Sequence, residues 1–184
     1  MWRALLLLAS ASATLDVDCR VVVTLRRHPE RLAAFEAERA RVALGAVRVQ
    51  RETLDPEGGV AGCFRAHARA AQHALDAGCE RVLILEDDVF FAPDPTPGFE
   101  AANRAMNGTW DALYLGYEPF GLLSWGADGP PRDGRSVVVD GSFLLDTHAY
   151  VLRREGMRRL AASTWADVRV DEHPASLRLR ARAV

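Results

Sequence analysis

A chain of 184 residues, 49% of them apolar and 26% charged, is long enough for one domain with an ordinary core and too hydrophobic for a disordered segment. Its formal net charge of −2 gives no electrostatic case for nucleic acid, which calls for a concentrated basic surface, so no nucleic-acid partner is expected. All 23 basic residues are arginine, which removes every mechanism that depends on a lysine amine.

The chain opens with Arg3, an apolar run from Ala4 to Ala9 and the small-residue string Ala11-Ser12-Ala13. This pattern predicts a signal peptide over residues 1–13. The run is too short to span a bilayer and no later stretch is longer, so no transmembrane segment is predicted. Asn107-Gly108-Thr109 is an N-glycosylation acceptor and fits a secretory route, through the endoplasmic reticulum or Golgi lumen. Without a functional leader the location would be cytoplasmic. Cys19, Cys63 and Cys79 leave one thiol unpaired even if a disulfide forms. On one continuous helix, Cys63 and Cys79 would lie roughly 24 Å apart, out of disulfide reach. Cys19 with either of the other two remains open, and the spacing is no zinc pattern.

After the leader, the β-branched run Arg20 to Leu25 reads as a buried strand. His28-Pro29-Glu30 opens a helix, with Pro suited to its first turn and Glu to its positive end. Leu32, Phe35, Ala40 and Leu44 carry that helix and Gly45 ends it. Val47 to Thr53 alternates as a second strand, and Asp55 to Gly59 reads as a loop. A second helix runs from Val60 to Ala77, with Val60, Phe64, His67, Ala71, Ala74 and Leu75 on one stripe and Gly78 as its stop. Arg81 to Leu85 is continuously apolar from Val82, as a strand covered on both faces should be. A Pro-rich loop, a helix from Phe99 to Met106 and a strand from Ala112 to Leu115 follow. Gly116 to Arg135 reads as a long loop of functional length. Val137 to Val139 and Ala149 to Leu152 read as strands, Glu155 to Ala162 as a helix, and the end is Arg-rich. Alternating strands and helices predict an α/β sheet with helices on both faces.

In such sheets ligands bind outside the carboxyl ends of the strands. The Arg81–Leu85 strand runs there directly into Glu86-Asp87-Asp88. Three adjacent acids at the end of a buried strand repel one another and lose solvation, so a cation should compensate them. Alternation along an extended chain aims Glu86 and Asp88 at one ion and turns Asp87 elsewhere. All-oxygen ligands suit Mg²⁺ or Mn²⁺ bridging to a diphosphate. An ordinary solvated strand terminus would look the same locally. A signalling receiver domain would not serve, because its acids follow the first strand and its chemistry needs a lysine.

Read in order, six blocks resemble glycosyltransferase family 25, which includes lipooligosaccharide and procollagen galactosyltransferases. Val22-Val23-Thr24-Leu25 with Arg27, Pro29 and Arg31 resembles the family's opening strand and N-L-x-R-x-x-x-R block. Gly62-Cys63-Phe64 with His67 resembles G-C-x-x-S-H, and Leu83 to Val89 resembles the metal-binding strand. Trp110-Asp111 with Tyr114-Leu115-Gly116 resembles W-D-x-x-Y-L-G. Thr147-His148-Ala149-Tyr150 and Val170-Asp171-Glu172 resemble two late blocks. The blocks span residues 20 to 173; Thr24 stands in place of the family's Asn and Ala66 in place of its Ser.

The resemblance implies a GT-A-like, Rossmann-related single domain over residues 20–184, with a mostly parallel central sheet. It implies an inverting, metal-dependent transfer of a hexose, galactose by family default, from a UDP-sugar donor to a hydroxyl of a glycoprotein or glycan acceptor. Glu86 and Asp88 would hold Mn²⁺ or Mg²⁺, with Asp87 beside the diphosphate. Thr24, Leu25, Arg27 and Arg31 would contact the donor, the arginines through forked guanidinium bonds. His148 would complete the metal shell or position the sugar. Asp171 or Glu172 would be the general base, with Asp111 and Asp140 as weaker candidates. His67 reads as a satisfied core histidine, Gly62 as a close approach of its helix to the sheet, and Trp110 and Tyr114 as core aromatics. Relatives continue past the last block, where an acceptor-side element could lie. The alternatives are a non-catalytic family member that keeps the fold as a binding protein, and a metal-dependent sugar-phosphate hydrolase.

Overall fold

The computed structural model describes residues 14–119, 137–138, 144–165 and 181–183. The leader, residues 120–135 of the long loop, Val139, Asp140, Asp171 and Glu172 lie outside the described residues. In chain order the elements are β1 (Cys19–Leu25), α1 (Pro29–Arg41), β2 (Arg48–Glu52), α2 (Gly59–Asp76), β3 (Arg81–Glu86), α3 (Thr96–Ala105), β4 (Ala112–Pro119), β5 (Val137–Val138), β6 (Leu144–Arg153), α4 (Arg154–Ala162) and β7 (Ala181–Ala183).

The described strands form one sheet in the order β2-β1-β3-β6-β4-β7-β5. β1 pairs parallel with both β2 and β3, and β4 pairs parallel with β7. β6 runs antiparallel between β3 and β4, and β5 antiparallel to β7. Among the described residues, β1, β2, β3, β4 and β7 therefore share one direction, and the sheet is mixed but mostly co-directional. Their carboxyl ends lie at one edge, and the start of β6 lies at that same edge because it runs the other way.

Helices cover both faces, which explains the unbroken apolar run of β3. Val82 and Ile84 join Val21, Tyr150 and Leu152 under Phe64, Ala70 and Ala71 of α2 and Met157 and Leu160 of α4. Leu83 and Leu85 point the other way, with Val22 and Val151, toward Leu32 and Phe35 of α1 and Phe99 and Ala102 of α3. Alternate residues of one strand thus serve two cores, and each large side chain buried this way contributes roughly 1.5–3 kcal/mol. Gly156 lets α4 settle against β4, because a Cβ there would collide with the Asp111 carbonyl.

Several boundaries differ from the sequence reading. α1 ends at Arg41, ahead of Gly45, because Ala43 already adopts a left-handed backbone with φ 50°. Leu44 is still buried, beyond the helix, whereas Ala40 is exposed. Val60, placed on the buried stripe by spacing, sits in the first turn of α2 and is exposed. β4 and β6 are longer than the apolar runs that marked them, and β7 carries no apolar periodicity to announce it.

Two ties fix the sheet around β3. At its amino end a disulfide joins Cys19 to Cys79, with Cα atoms 6.1 Å apart, which resolves the pairing that spacing left open. Beside it the Asp18 carboxylate accepts the N–H groups of Glu80 and Arg81 at 3.0 and 2.7 Å. Past its carboxyl end, the last turns of α1 grip the following loop. Arg41 donates to the carbonyls of Phe91, Ala92 and Pro93 at 2.9, 3.1 and 3.0 Å, while Glu38 accepts the Phe91 N–H at 2.8 Å.

Replacing both Cys19 and Cys79 by serine should lower the unfolding free energy by about 2–4 kcal/mol, read by denaturant titration, because the bond closes a long loop. A loss under about 0.5 kcal/mol would show that the bond does not constrain the unfolded chain. The Arg41 guanidinium, against burial and with help from the Phe91 N–H, lowers the Glu38 pKa from 4.5 to about 2. A depressed carboxylate stabilises the fold above its ordinary pKa and loses that contribution as pH falls toward 2. Glu38→Gln should therefore cost about 1–2 kcal/mol at neutral pH, reduced by the solvent around Arg41. The difference from wild type should shrink through that acid window, and a constant difference down to pH 2 would exclude the carboxylate's charge as its source.

Candidate functional site

The three acids sit at the carboxyl edge of the sheet and part company there. β3 ends at Glu86, and Asp87 and Asp88 form the turn that follows. Asp87 is buried on the α1 side, where its Oδ2 accepts the Thr24 hydroxyl at 2.6 Å. Thr24 lies near the end of β1, so the pairing of β1 with β3 delivers that hydroxyl to the turn. One Arg31 nitrogen, Nη2, donates to Asp87 Oδ1 and to Asp88 Oδ2, each at 2.6 Å. Arg31 comes from the first turn of α1, whose start is set by Pro29. A single guanidinium therefore spans two carboxylates, one buried and one exposed.

Asp88 also meets β6. Its Oδ1 lies 3.0 Å from His148 Nδ1, and both side chains are 42% exposed, open to an incoming ligand. The register Leu85↔Ala149 explains the meeting, since it sets His148 next to the residue that leaves β3. Glu86, Asp88 and His148 each offer a ligand atom, all within 4.8 Å of one another. The structure thus brings Glu86 and Asp88 to one place, as alternation suggested, and adds His148 to them.

Glu86 turns toward α2. Its Oε1 lies 3.6 Å from Nε2 of His67, a fully buried ring. The other ring nitrogen, Nδ1, shares a hydrogen bond of 2.7 Å with the Tyr150 hydroxyl, and the two rings stack with centroids 5.7 Å apart. Burial works against the charged imidazole, but Cys63 and Glu86 beside it outweigh burial and raise its pKa from 6.5 to about 9. His67 is a core residue, as its stripe position implied, but its second nitrogen reaches Glu86 at the carboxyl edge of the sheet. Sequence reasoning missed this convergence. The signal was the spacing of Cys63 and His67, one helical turn apart on one face.

A cleft of about 140 Å³ opens between these groups, bounded by Thr24, Leu25 and Arg31 on one side and Gly62, Cys63 and His67 on the other. Its floor is Glu86 and Asp87, and its far wall runs from Glu52 to Asp55 at the end of β2. Gly62 works differently from the sequence reading. A Cβ there would come within 2.9 Å of Asp55 Cβ, so the glycine admits the Asp55 loop to α2 and does not bring α2 to the sheet. Arg65 holds that loop by pairing with Asp55 and Glu57 at 2.6 and 2.7 Å.

The remaining sequence candidates fall elsewhere. Arg27 is exposed in the turn before α1, outside the group that Arg31 joins. Asp111 is buried at the start of β4, beside Leu152 and Arg153 and so at the opposite edge from the acids. Trp110 and Tyr114 are core aromatics, Trp110 under the Arg153 guanidinium at 4.4 Å. Among the described residues, no helix is long and apolar enough to cross a membrane.

No protein-family model matches the chain. Among curated proteins it is similar to the human inactive glycosyltransferase 25 family member 3, 31% identical over 108 residues. That match covers 57% of this chain and 18% of the human protein. It is similar also to a glycosyltransferase 25 family member of Anopheles gambiae, 30% identical over 105 residues, covering 55% of this chain and 17% of that protein. The chain thus matches less than a fifth of the length of these relatives. Among solved structures it is similar to a glycosyltransferase involved in glycosylation of the major capsid of PBCV-1. There the TM-score is 0.40 at 14% identity, covering 87% of this chain and 67% of that one, too distant to bear on the site. Across more than half its length, this chain is similar to members of the glycosyltransferase 25 family.

Proposed function

We propose that this chain is the nucleotide-sugar-binding part of a metal-dependent glycosyltransferase. It would move a hexose, galactose by family default, from a UDP-sugar to a hydroxyl of a glycoprotein or glycan with inversion. The gathering of Glu86, Asp88 and His148 at the carboxyl edge of the sheet, beside a cleft, carries this reading. Two carboxylates and an imidazole fit Mn²⁺ better than Mg²⁺, which prefers oxygen alone. Bound there, the ion would supply Lewis acidity where charge develops on the departing diphosphate.

The chain's own groups supply the rest. Arg31 is anchored on Asp87 and half exposed, so its remaining donors are free to turn toward a diphosphate oxygen. Thr24 and Arg31 together hold Asp87 in one orientation, which keeps the turn that presents Asp88 rigid. The cleft is smaller than a pocket for a whole drug-sized ligand, roughly 300 Å³ or more. It therefore suits the planar base alone, with the diphosphate and sugar passing over Asp88 and His148. Asp171 or Glu172 remains the proposed base for the acceptor hydroxyl, on the strength of the sequence block alone.

The non-catalytic reading has one observation in its favour, the word "inactive" in the human relative's name. The intact Glu86, Asp88 and His148 group weighs against it. Incubation with UDP-galactose and Mn²⁺ should release UDP, chelation should abolish the release, and Mn²⁺ should restore it. Asp88→Ala should cut the rate at least about a hundredfold, as loss of a charge-stabilising group does. His148→Ala should raise the Mn²⁺ requirement about tenfold or more. No release above the Asp88→Ala background across several UDP-sugars would overturn the enzyme reading. Donor binding without release would then favour the binding protein, and phosphate from sugar phosphates the hydrolase.

A further inference from the structure

A second group of ligating atoms lies deeper, on the α2 side of Glu86. Cys63, His67 and Glu86 each offer one atom, all within 4.8 Å of one another. Cys63 carries a free thiol, because Cys19 and Cys79 are bonded to each other. The His67 ring is fully buried, and its Nε2 has no hydrogen-bond partner among the described residues. On that side it faces Cys63 and Glu86, whose Oε1 lies 3.6 Å away. A buried nitrogen left this way costs free energy unless something binds it. The opposite nitrogen is already committed. Nδ1 lies 2.7 Å from the Tyr150 hydroxyl, a contact that fixes the ring plane and turns Nε2 toward the group, where an ion would take the place of its proton.

We propose that Cys63, His67 and Glu86 form a Zn²⁺ site, distinct from the outer Glu86, Asp88 and His148 group with which it shares Glu86. One sulfur, one imidazole nitrogen and one carboxylate oxygen are the ligands zinc prefers, and the thiol selects it over hard ions. Ligand atoms around a tetrahedral zinc lie roughly 3.3–3.8 Å apart; His67 Nε2 and Glu86 Oε1 already stand 3.6 Å apart. Cys63 and His67 stand one turn apart on α2, and the Cys63 side chain is half-buried, outside any disulfide. All three residues line the cleft, which gives the ion an entry path and leaves the fourth position to water. Binding releases the thiol proton and the Nε2 proton of His67 to solvent, and Tyr150 orients the ring without touching the ion. Glu86 belongs to both groups, so an inner ion would also set the direction of a carboxylate that the outer group uses.

The test needs neither donor nor activity, and so stands apart from the transferase reading. Untagged full chain with its disulfide intact should bind one Zn²⁺, measured by chelator competition, at its single free thiol. Co²⁺ in its place should give the absorption of a thiolate-to-cobalt charge transfer. Zn²⁺ should slow alkylation of Cys63 at least about tenfold. Cys63→Ser and His67→Gln should each weaken binding at least about tenfold, and Tyr150→Phe by about the same factor through the orienting bond. Asp88→Ala should leave Zn²⁺ affinity within about twofold while removing a ligand of the outer group. If His67→Gln fails to fold, Cys63→Ser alone decides the matter, since it changes one atom of a half-buried side chain. Zn²⁺ affinity unchanged in Cys63→Ser, or lost in Asp88→Ala, would overturn the inner site. So would the absence of a thiolate band with Co²⁺.

Discussion

The fold depends on one constraint: β3 is buried on both faces, yet ends in three consecutive acids. A strand so covered cannot carry its carboxylates away from the protein, so its neighbours must meet them at the edge. Each neighbouring element does. β1 brings Thr24 to Asp87, and α1 brings Arg31 to Asp87 and Asp88. β6 brings His148 to Asp88, and α2 brings His67 to within 3.6 Å of Glu86. Burial of β3 supplies the stability, and the acids at its end decide what the surrounding elements must present there.

This arrangement tolerates little slack, and the chain restrains β3 at both ends. The Cys19–Cys79 bond and the Asp18 carboxylate fix where β3 begins relative to β1. Since side chains alternate along a strand, a slip of one residue would turn Leu83 and Leu85 to the wrong core and Glu86 to the wrong helix. Beyond the acids, Glu38 and Arg41 hold the backbone of Phe91 to Pro93. α1 thus anchors the turn twice, through Arg31 at its start and through the Glu38–Arg41 pair near its end.

Features that repeat along the chain were legible in the sequence. The unbroken run from Val82 to Leu85 announced a doubly covered strand, and the rule for the carboxyl edge placed Glu86 and Asp88 where they are found. Local chemistry was partly legible: Pro29 marked the start of α1, but Ala43 in a left-handed backbone ended it before Gly45. Pairings between distant residues were hidden. Cys19 chose Cys79 because parallel β1 and β3 share a register, with Cys19 opposite Val82, which no spacing along the chain encodes. Arg27 and Arg31 looked equivalent in sequence, yet only Arg31, inside the helix, reaches the acids. His67 was read correctly as buried, but its reach to Glu86 follows from α2 lying across β3 and could not be read from α2 alone.

Glu86 joins two ligand sets of opposite character. The outer set is partly exposed and rich in carboxylate, suited to a hard ion that exchanges readily. The inner set is half-buried to buried and holds the sulfur. Affinity for divalent ions rises from Mn²⁺ to Zn²⁺ at nearly any site, so carboxylates alone would not keep zinc out of the outer set. Geometry and ligand type must do so, and a thiol beside an oriented imidazole offers zinc a better place one residue away. By that logic the proposed inner group would draw zinc away from the outer acids, and α2 would bear on the site's chemistry as well as on its packing.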